Sequence, residues 1–206
     1  MGRRQGPRWN HNIHFHRRVM AAVPQRAVSA LDVGTGNGEL AAELAGAVPD
    51  VTGIDVDSTV LAAAAAEHDG ITWVLGDVMT YDFGRTFDVV ASVATVHHLA
   101  SLPDTLQRFA DLTSPGGVVA IVGLARATTL RDHGFGVAGF VQHQWYSRTR
   151  KYWEHTAPTV WPPPHTYTEV RETAARILPG ARWQQFALWR YALTWTKPPE
   201  PTTDIR

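Results

Sequence analysis

The sequence predicts an α/β domain in which a mostly parallel sheet is wound by helices on both faces, and three observations carry that reading. An apolar run, Ala30–Val33, enters the glycine-rich turn Gly34-Thr35-Gly36-Asn37-Gly38 and leaves it as an alanine-rich helical pattern over Glu39–Val48. Strand-like apolar runs then alternate with helical patterns as far as Leu124. After a long aromatic stretch, one more helical pattern and two strand-like runs close the chain. With 206 residues, 44% of them hydrophobic and 18% charged, the chain suits one domain with a real core.

Taken in order, residues 1–8 are rich in Gly, Arg and Pro. In the stretch Trp9–Met20, Ile13, His16, Arg17 and Met20 keep helical spacing, and Pro24 ends the segment. His11, His14 and His16 do not share one helical face and have no acidic residue beside them, so no metal site is expected there. Ala30–Val33 is the first strand, and Glu39–Val48 the first helix after it. Val51–Asp57 is the second strand and Ser58–Glu67 a helix, for which Asp57 is a candidate N-cap. Ile71–Leu75 and Thr86–Ser92 are the third and fourth strands; the fourth is apolar enough to be central in a parallel sheet. Leu102, Leu106, Phe109 and Leu112 form one helical stripe, and Ser114-Pro115-Gly116-Gly117 turns the chain into the fifth strand, Val118–Leu124. A helix is expected within Phe135–Arg148. Thr166-Tyr167-Thr168-Glu169 has capping-box spacing for a helix ending at Ile177, before Pro179-Gly180. Arg182–Leu188 and Arg190–Thr196 read as two strands, with Trp183, Trp189 and Trp195 expected in the core.

The glycine turn is where chemistry is expected. Glycines at every second position leave it nearly bare of side chains, so its backbone N–H groups are expected to face a polar ligand. Glu39 stands where the dinucleotide fingerprint needs its third glycine, which disfavours an NAD-dependent oxidoreductase. Asp32, just before the turn, is placed to accept from a cationic ligand group or from the turn itself. Asp55 follows Gly34 by 21 residues, at the tip of the second strand, where a carboxylate can take both hydroxyls of a ribose.

Leu31-Asp32-Val33-Gly34-Thr35-Gly36-Asn37-Gly38 resembles the first motif of the class I S-adenosylmethionine (SAM)-dependent methyltransferases. The resemblance extends specifically over Ala30–Leu124 and more loosely over the closing strands. It implies a Rossmann-like sheet of about seven strands, the last inserted antiparallel, with SAM as cofactor. Residues 1–29 would form an N-terminal lid, 30–124 the SAM-binding core, 125–165 a substrate cap and 166–206 the closing elements. In such enzymes Asp55 would bind the ribose, Val56 would pack on the adenine, Asp77 would accept from the adenine amino group and the Val78 N–H would donate to a ring nitrogen. Gly34, Thr35, Gly36, Gly38 and Ser92 complete the implied cofactor site. Val96-His97-His98-Leu99 resembles a signature of small-molecule methyltransferases. His97 or His98 is then a candidate general base with a near-neutral pKa, and the alternative is that both only cap a helix and line the wall. Trp9, His11, Asn12 and Phe15 are candidate lid residues, and Phe140, His143, Trp145 and Tyr146 candidate substrate contacts. The stretch 125–165, which also holds Tyr152, Trp153 and His155, has a second reading as an oligomer interface.

The implied activity is methyl transfer to a small molecule at an O, N or C atom. The alternatives are an RNA- or protein-modifying methyltransferase and a non-catalytic SAM-binding domain. Nineteen Lys and Arg against nineteen Asp and Glu give zero net charge, and no Asn-Pro-Pro-Tyr element follows the fourth strand. Both points disfavour a nucleic-acid partner. The chain has no cysteine, no bilayer-length apolar run, and no apolar stretch after Arg3-Arg4 to make an export signal, so a cytoplasmic location is expected.

Overall fold

The computed structural model describes residues 9–149 and 161–200. Seven strands form one sheet: β1 (Ser29–Val33), β2 (Asp50–Asp55), β3 (Thr72–Leu75), β4 (Phe87–Val93), β5 (Thr113–Gly123), β6 (Arg182–Phe186) and β7 (Arg190–Thr196). Their order across the sheet is β3-β2-β1-β4-β5-β7-β6. The first five are parallel, and β7 inserts antiparallel between β5 and β6. The order reverses between β1 and β4, which is where doubly wound sheets open a crevice at the carboxyl ends of their strands.

Alternation of side chains along each strand explains why both faces are covered. Leu31, Val33, Val90, Val119 and Ile121 point to a core completed by α4 (Leu102–Leu112) and α6 (Tyr167–Ile177). Ala30, Val89, Ala91, Val118, Ala120 and Val122 point the other way, to Phe15 and Val19 of α1 (His11–Met20) and Leu40, Ala41 and Leu44 of α2 (Glu39–Ala45). α3 (Ser58–Glu67) covers the β2–β3 end with Val60, Leu61 and Ala64 buried.

The caps follow the sequence. Asn10 accepts from the Ile13 N–H at 2.9 Å to start α1, and Asp57 caps α3 by accepting from the Thr59 N–H at 2.7 Å. Thr166 and Glu169 close a reciprocal capping box on α6. α2 stops short of the expected Val48, because its last turn tightens from the Gly46 N–H to the Glu43 carbonyl. β5 starts earlier than expected. Pro115-Gly116-Gly117 is an irregular stretch inside it, tied to Lys197 through Gly116 N–H to Lys197 O and Lys197 N–H to Gly117 O. The Lys197 ammonium donates to the Ala110 and Thr113 carbonyls at 2.9 and 2.7 Å, closing the carboxyl end of α4.

Of the three tryptophans expected in the core, Trp195 is buried and Trp183 packs against the α4–α6 core. Trp189 instead sits in the three-residue β6–β7 connection, where it and Leu188 both take positive φ. α5 (Leu130–Thr149) is longer than the expected Phe135–Arg148. It approaches this hairpin so closely that a Cβ on Gly139 would lie 2.7 Å from the Leu188 backbone nitrogen. Tyr152, Trp153 and His155 lie outside the described residues. No described helix is long and apolar enough to cross a membrane.

Candidate active site

A cleft of about 800 Å³ opens at the carboxyl ends of β1, β2 and β4. Asp32, Gly34, Thr35, Gly36, Asp55, Val56, Asp77, Val78, His97 and His98 all line it. So do Asn10, Asn12, Ile13 and His16 of α1, and Leu124 and Arg190 beside β5 and β7.

The three glycines of the turn have three separate jobs. All take positive φ, 68°, 52° and 80° at Gly34, Gly36 and Gly38. A Cβ on Gly34 would fall 2.2 Å from the Thr95 hydroxyl oxygen, so the turn and the segment after β4 meet only through a bare residue. A Cβ on Gly38 would fall 2.6 Å from the Trp73 ring; this glycine packs α2 on the sheet and does not line the cleft. Nothing lies within 4 Å of a Cβ built on Gly36, so this is the residue of the three that leaves room for a ligand.

Four amides of the turn have partners within the protein. Gly34 and Thr35 donate to the Ile54 carbonyl at 2.9 and 3.1 Å, and Gly38 donates to the Thr35 carbonyl at 2.9 Å. Gly36 donates to the Asp55 carboxylate at 2.9 Å. The turn is thereby bound to the tip of β2, and Asp55 is held from two sides, since its other oxygen accepts from the Asp57 N–H at 3.0 Å. The Gly76 N–H donates to the Asp55 carbonyl at 2.9 Å, bringing Asp77 to the same cleft. Asp77 folds its own turn by accepting from the Met79 N–H at 2.9 Å. Between these acids Val56 stays 72% exposed, an apolar surface at the rim of a polar site.

Asp32 is fully buried and accepts from the Thr35 hydroxyl at 2.7 Å, so of the two partners expected for it the turn is the one present. Burial pushes its carboxyl up to about 6; the Thr35 bond and the nearby His16 oppose that rise. Ser92 does not reach the cleft. It is fully buried, and its hydroxyl donates to the Val33 carbonyl at 3.0 Å, joining the tips of β1 and β4.

His97 and His98 belong to the 3₁₀ turn Val96–His98, with ring centres 4.2 Å apart. Burial, then His98 and Arg190, hold His97 down to about 4, and burial also lowers His98. The buried Nδ1 of His97 has no hydrogen-bond partner among the described residues.

The N-terminal helix and the insertion meet the cleft differently from the expectation. Of Trp9, His11, Asn12 and Phe15, only Asn12 lines it. Phe15 is buried in the α1–α2 core against Phe186, with ring centres 5.5 Å apart. Trp9 stacks on Tyr146, and the His11 Nε2 lies 3.0 Å from the His143 Nδ1. His143 and Tyr146 therefore brace α1, while Phe140 and Trp145 are 57% and 67% exposed. None of these four residues of α5 lines the cleft. His16 does have an acidic partner, contrary to expectation: its Nδ1 lies 2.9 Å from a Glu43 carboxylate oxygen on α2.

The sequence reading missed Arg190, Ile13 and His16. Helical spacing marked Ile13 and His16, but nothing local showed that their face, not that of Trp9 and His11, would turn toward the strand tips.

Comparison with known proteins agrees with this geometry. A methyltransferase domain family matches residues 31–121. An uncharacterised methyltransferase of Mycobacterium tuberculosis is 37% identical over 193 residues, covering 92% of this chain and 98% of the relative. Among solved structures, SAM-bound CalS10, an amino pentose methyltransferase from Micromonospora echinaspora, aligns with a TM-score of 0.62 at 20% identity, covering 90% of this chain and 89% of the other. The [4+2]-cyclase SpnF aligns with a TM-score of 0.66 at 16% identity, over 90% of this chain and 81% of the other, so the fold itself does not fix the reaction. With the relative matched nearly end to end, this chain belongs to the class I SAM-dependent methyltransferases, and S-adenosylmethionine is its cofactor.

Proposed function

We propose that the enzyme transfers the methyl group of SAM to a small molecule bound between α1, the His97-His98 turn and the start of β7. The observation that carries this reading is that Gly36, Asp55 and Asp77 line one cleft with Asn12, His97 and Arg190. Its volume of about 800 Å³ suits a cofactor together with a small partner. The residues present fit the cofactor. Gly36 leaves open space for its amino-acid end, and Asp55 carries an already oriented carboxylate for the ribose. Val56 offers an apolar face for the adenine, with Asp77 and the Val78 N–H beside it. Asp32, Glu39, Asp55, Asp57, Asp77 and Asp104 give the lining an acidic character that favours a cationic cofactor.

When bound, SAM supplies an activated methyl group on a sulfonium. The protein's share is to hold the acceptor in line and exclude water, and such positioning supplies up to about 7–11 kcal/mol. His97 and His98 are proposed as wall and orienting groups, because a depressed imidazole pKa makes a weak base. The exposed Phe140 and Trp145 support self-association through α5 as a separate property of the insertion.

The test uses methyl-labelled SAM with cell extract split into small-molecule and macromolecular fractions. Label in the small-molecule fraction is expected; label confined to protein or RNA overturns the reading. For the cofactor roles, Asp55→Ala should weaken S-adenosylhomocysteine binding about 100-fold, since charge-assisted bonds of about 1.5–3 kcal/mol each are lost. An unchanged affinity in calorimetry overturns the ribose assignment.

A further inference from the structure

A second cavity, of about 280 Å³, lies outside the methyl-transfer cleft, where the start of α5 meets α6 and the β6–β7 connection. Local sequence lets these elements meet. A Cβ on Gly139 would lie 2.7 Å from the Leu188 nitrogen, and one on Gly136 3.7 Å from the Trp189 Nε1, so bare residues bring α5 close to the connection. The two cavities stand back to back and share no lining residue: Leu124 and Arg190 line the cleft, and their chain neighbours Ala125 and Trp189 line the pocket. Phe135, Trp161, Tyr167, Phe186 and Trp189 wall it. Beside these rings sits one buried charge. Asp132 also lines the pocket, is only 5% exposed, and accepts through Oδ2 from the Thr128 and Thr129 N–H groups at 3.1 and 3.0 Å. Burial raises its carboxyl, but the bonds from Thr128 and Thr129 outweigh burial and hold it below the ordinary range, so it is ionised. No Lys or Arg pairs with it among the described residues; the ion pairs among them join Arg85 to Asp50 and His16 to Glu43. Arg126 lines the same pocket but is exposed, and its charge bears on Glu169. Starting α5 accounts for the two bonds to Asp132 but not for the rings around it. A carboxylate is seldom buried unless a cation answers it, and the face of an aromatic ring is itself a site for a cation.

We infer that this pocket binds a small organic cation, an alkylated ammonium, with Asp132 as its counter-charge and the rings of Trp161, Tyr167 and Trp189 as its walls. The site is separate from that of the methyl acceptor, and the inference stands apart from the small-molecule reading above. One carboxylate is too few ligands for a metal ion, whereas rings favour a diffuse charge carried on methyl or methylene groups. The cavity is large enough for a choline-sized ion.

The test saturates the protein with S-adenosylhomocysteine, which fills the acid-lined cleft, and titrates choline and its neutral isostere 3,3-dimethylbutan-1-ol by calorimetry. Choline should bind, and the isostere should bind at least about ten-fold more weakly. Asp132→Asn keeps a side-chain oxygen for the Thr128 and Thr129 N–H groups but removes the charge. It should weaken choline about ten-fold and leave the isostere within about two-fold. Should that variant misfold, Trp161→Leu replaces a ring that is 63% exposed and should weaken choline about three-fold or more. S-adenosylhomocysteine affinity should stay within about two-fold in both variants, because the two linings share no residue. Absence of choline binding to the saturated protein, equal or tighter binding of the isostere, or choline affinity unmoved by either variant overturns the site. Choline that binds only when S-adenosylhomocysteine is absent also overturns it and places the cation in the cleft.

Discussion

Asp32 offers a stability experiment whose size follows from the structure. Its carboxyl is buried beneath the glycine turn and raised from 3.8 to about 6, with desolvation the main cause. A rise of roughly 2 units corresponds to about 3 kcal/mol at 1.36 kcal/mol per unit. The sign follows from linkage. The folded state holds this proton more tightly than the unfolded chain does, so the favourable contribution is present below about pH 4 and is lost as pH rises toward and through about 6. Asp32→Asn removes the ionisation while keeping an amide oxygen for the Thr35 hydroxyl, which now donates to the carboxylate at 2.7 Å. The variant should therefore gain about 2–3 kcal/mol relative to wild type between about pH 4 and about pH 7. Urea unfolding followed by circular dichroism at a series of pH values measures this difference directly. Taking the difference cancels other titrations, including those of Asp50, Asp132 and Glu169, whose lowered pKa values act in the opposite sense. A difference that stays constant across the range would refute the buried-carboxyl argument.

Other perturbations test neighbouring parts of the same structure. Gly34→Ala brings a methyl within 2.2 Å of Thr95 at a φ of 68°, and should cost about 3 kcal/mol or more in thermal unfolding. Pairing it with Thr95→Gly should relieve the clash but leave about 1–2 kcal/mol of backbone strain. His97, held down to about 4, stays neutral through the physiological range, so the pH–rate profile should lack an ascending limb from it between about pH 5.5 and about pH 7; a limb there that His97→Asn removes would contradict the burial argument. The same depression means that His97's contribution to native stability is lost as pH falls from about 6.5 toward 4. Thr166→Ala removes half of the α6 capping box and should lower stability by about 1 kcal/mol, read from the urea midpoint at unchanged slope.

The sheet was legible because its strands carry their burial in their composition. Val89, Val90 and Ala91 sit in mid-sheet with both faces covered, and a continuous apolar run is the pattern that position requires. Asp55 and Asp77 were legible as cleft residues because each follows a strand-like run, at the carboxyl rim where doubly wound sheets open. Properties set by distant partners were not legible. The turn's amides looked available from spacing alone, yet the Ile54 carbonyl and the Asp55 carboxylate take three of them, and both come from the neighbouring strand. The lowering of the His97 imidazole by burial, then by His98 and Arg190, depends on packing that no local motif announces. The aromatics of α5 looked like a substrate wall because composition does not say which face docks; Gly139 sets that face against the β6–β7 turn and leaves His143 and Tyr146 on α1.

Arg190 marks the boundary between these two kinds of information. Nothing local distinguishes it from other arginines on strands, and a strand pattern alone would send its side chain to either face. Its significance comes from chain direction. In a sheet where the other neighbour of β5, β4, runs parallel to it, an antiparallel strand delivers its first residue, not its last, to the rim where ligands bind. The hairpin before it must then be tight, and Leu188 and Trp189 take positive φ to make it so. The same inversion that completes the sheet thus carries a cation into an acid-lined cleft. Were β7 parallel, Tyr191 would not pair with Gly123, and that end of the cleft would have no positive group from this strand.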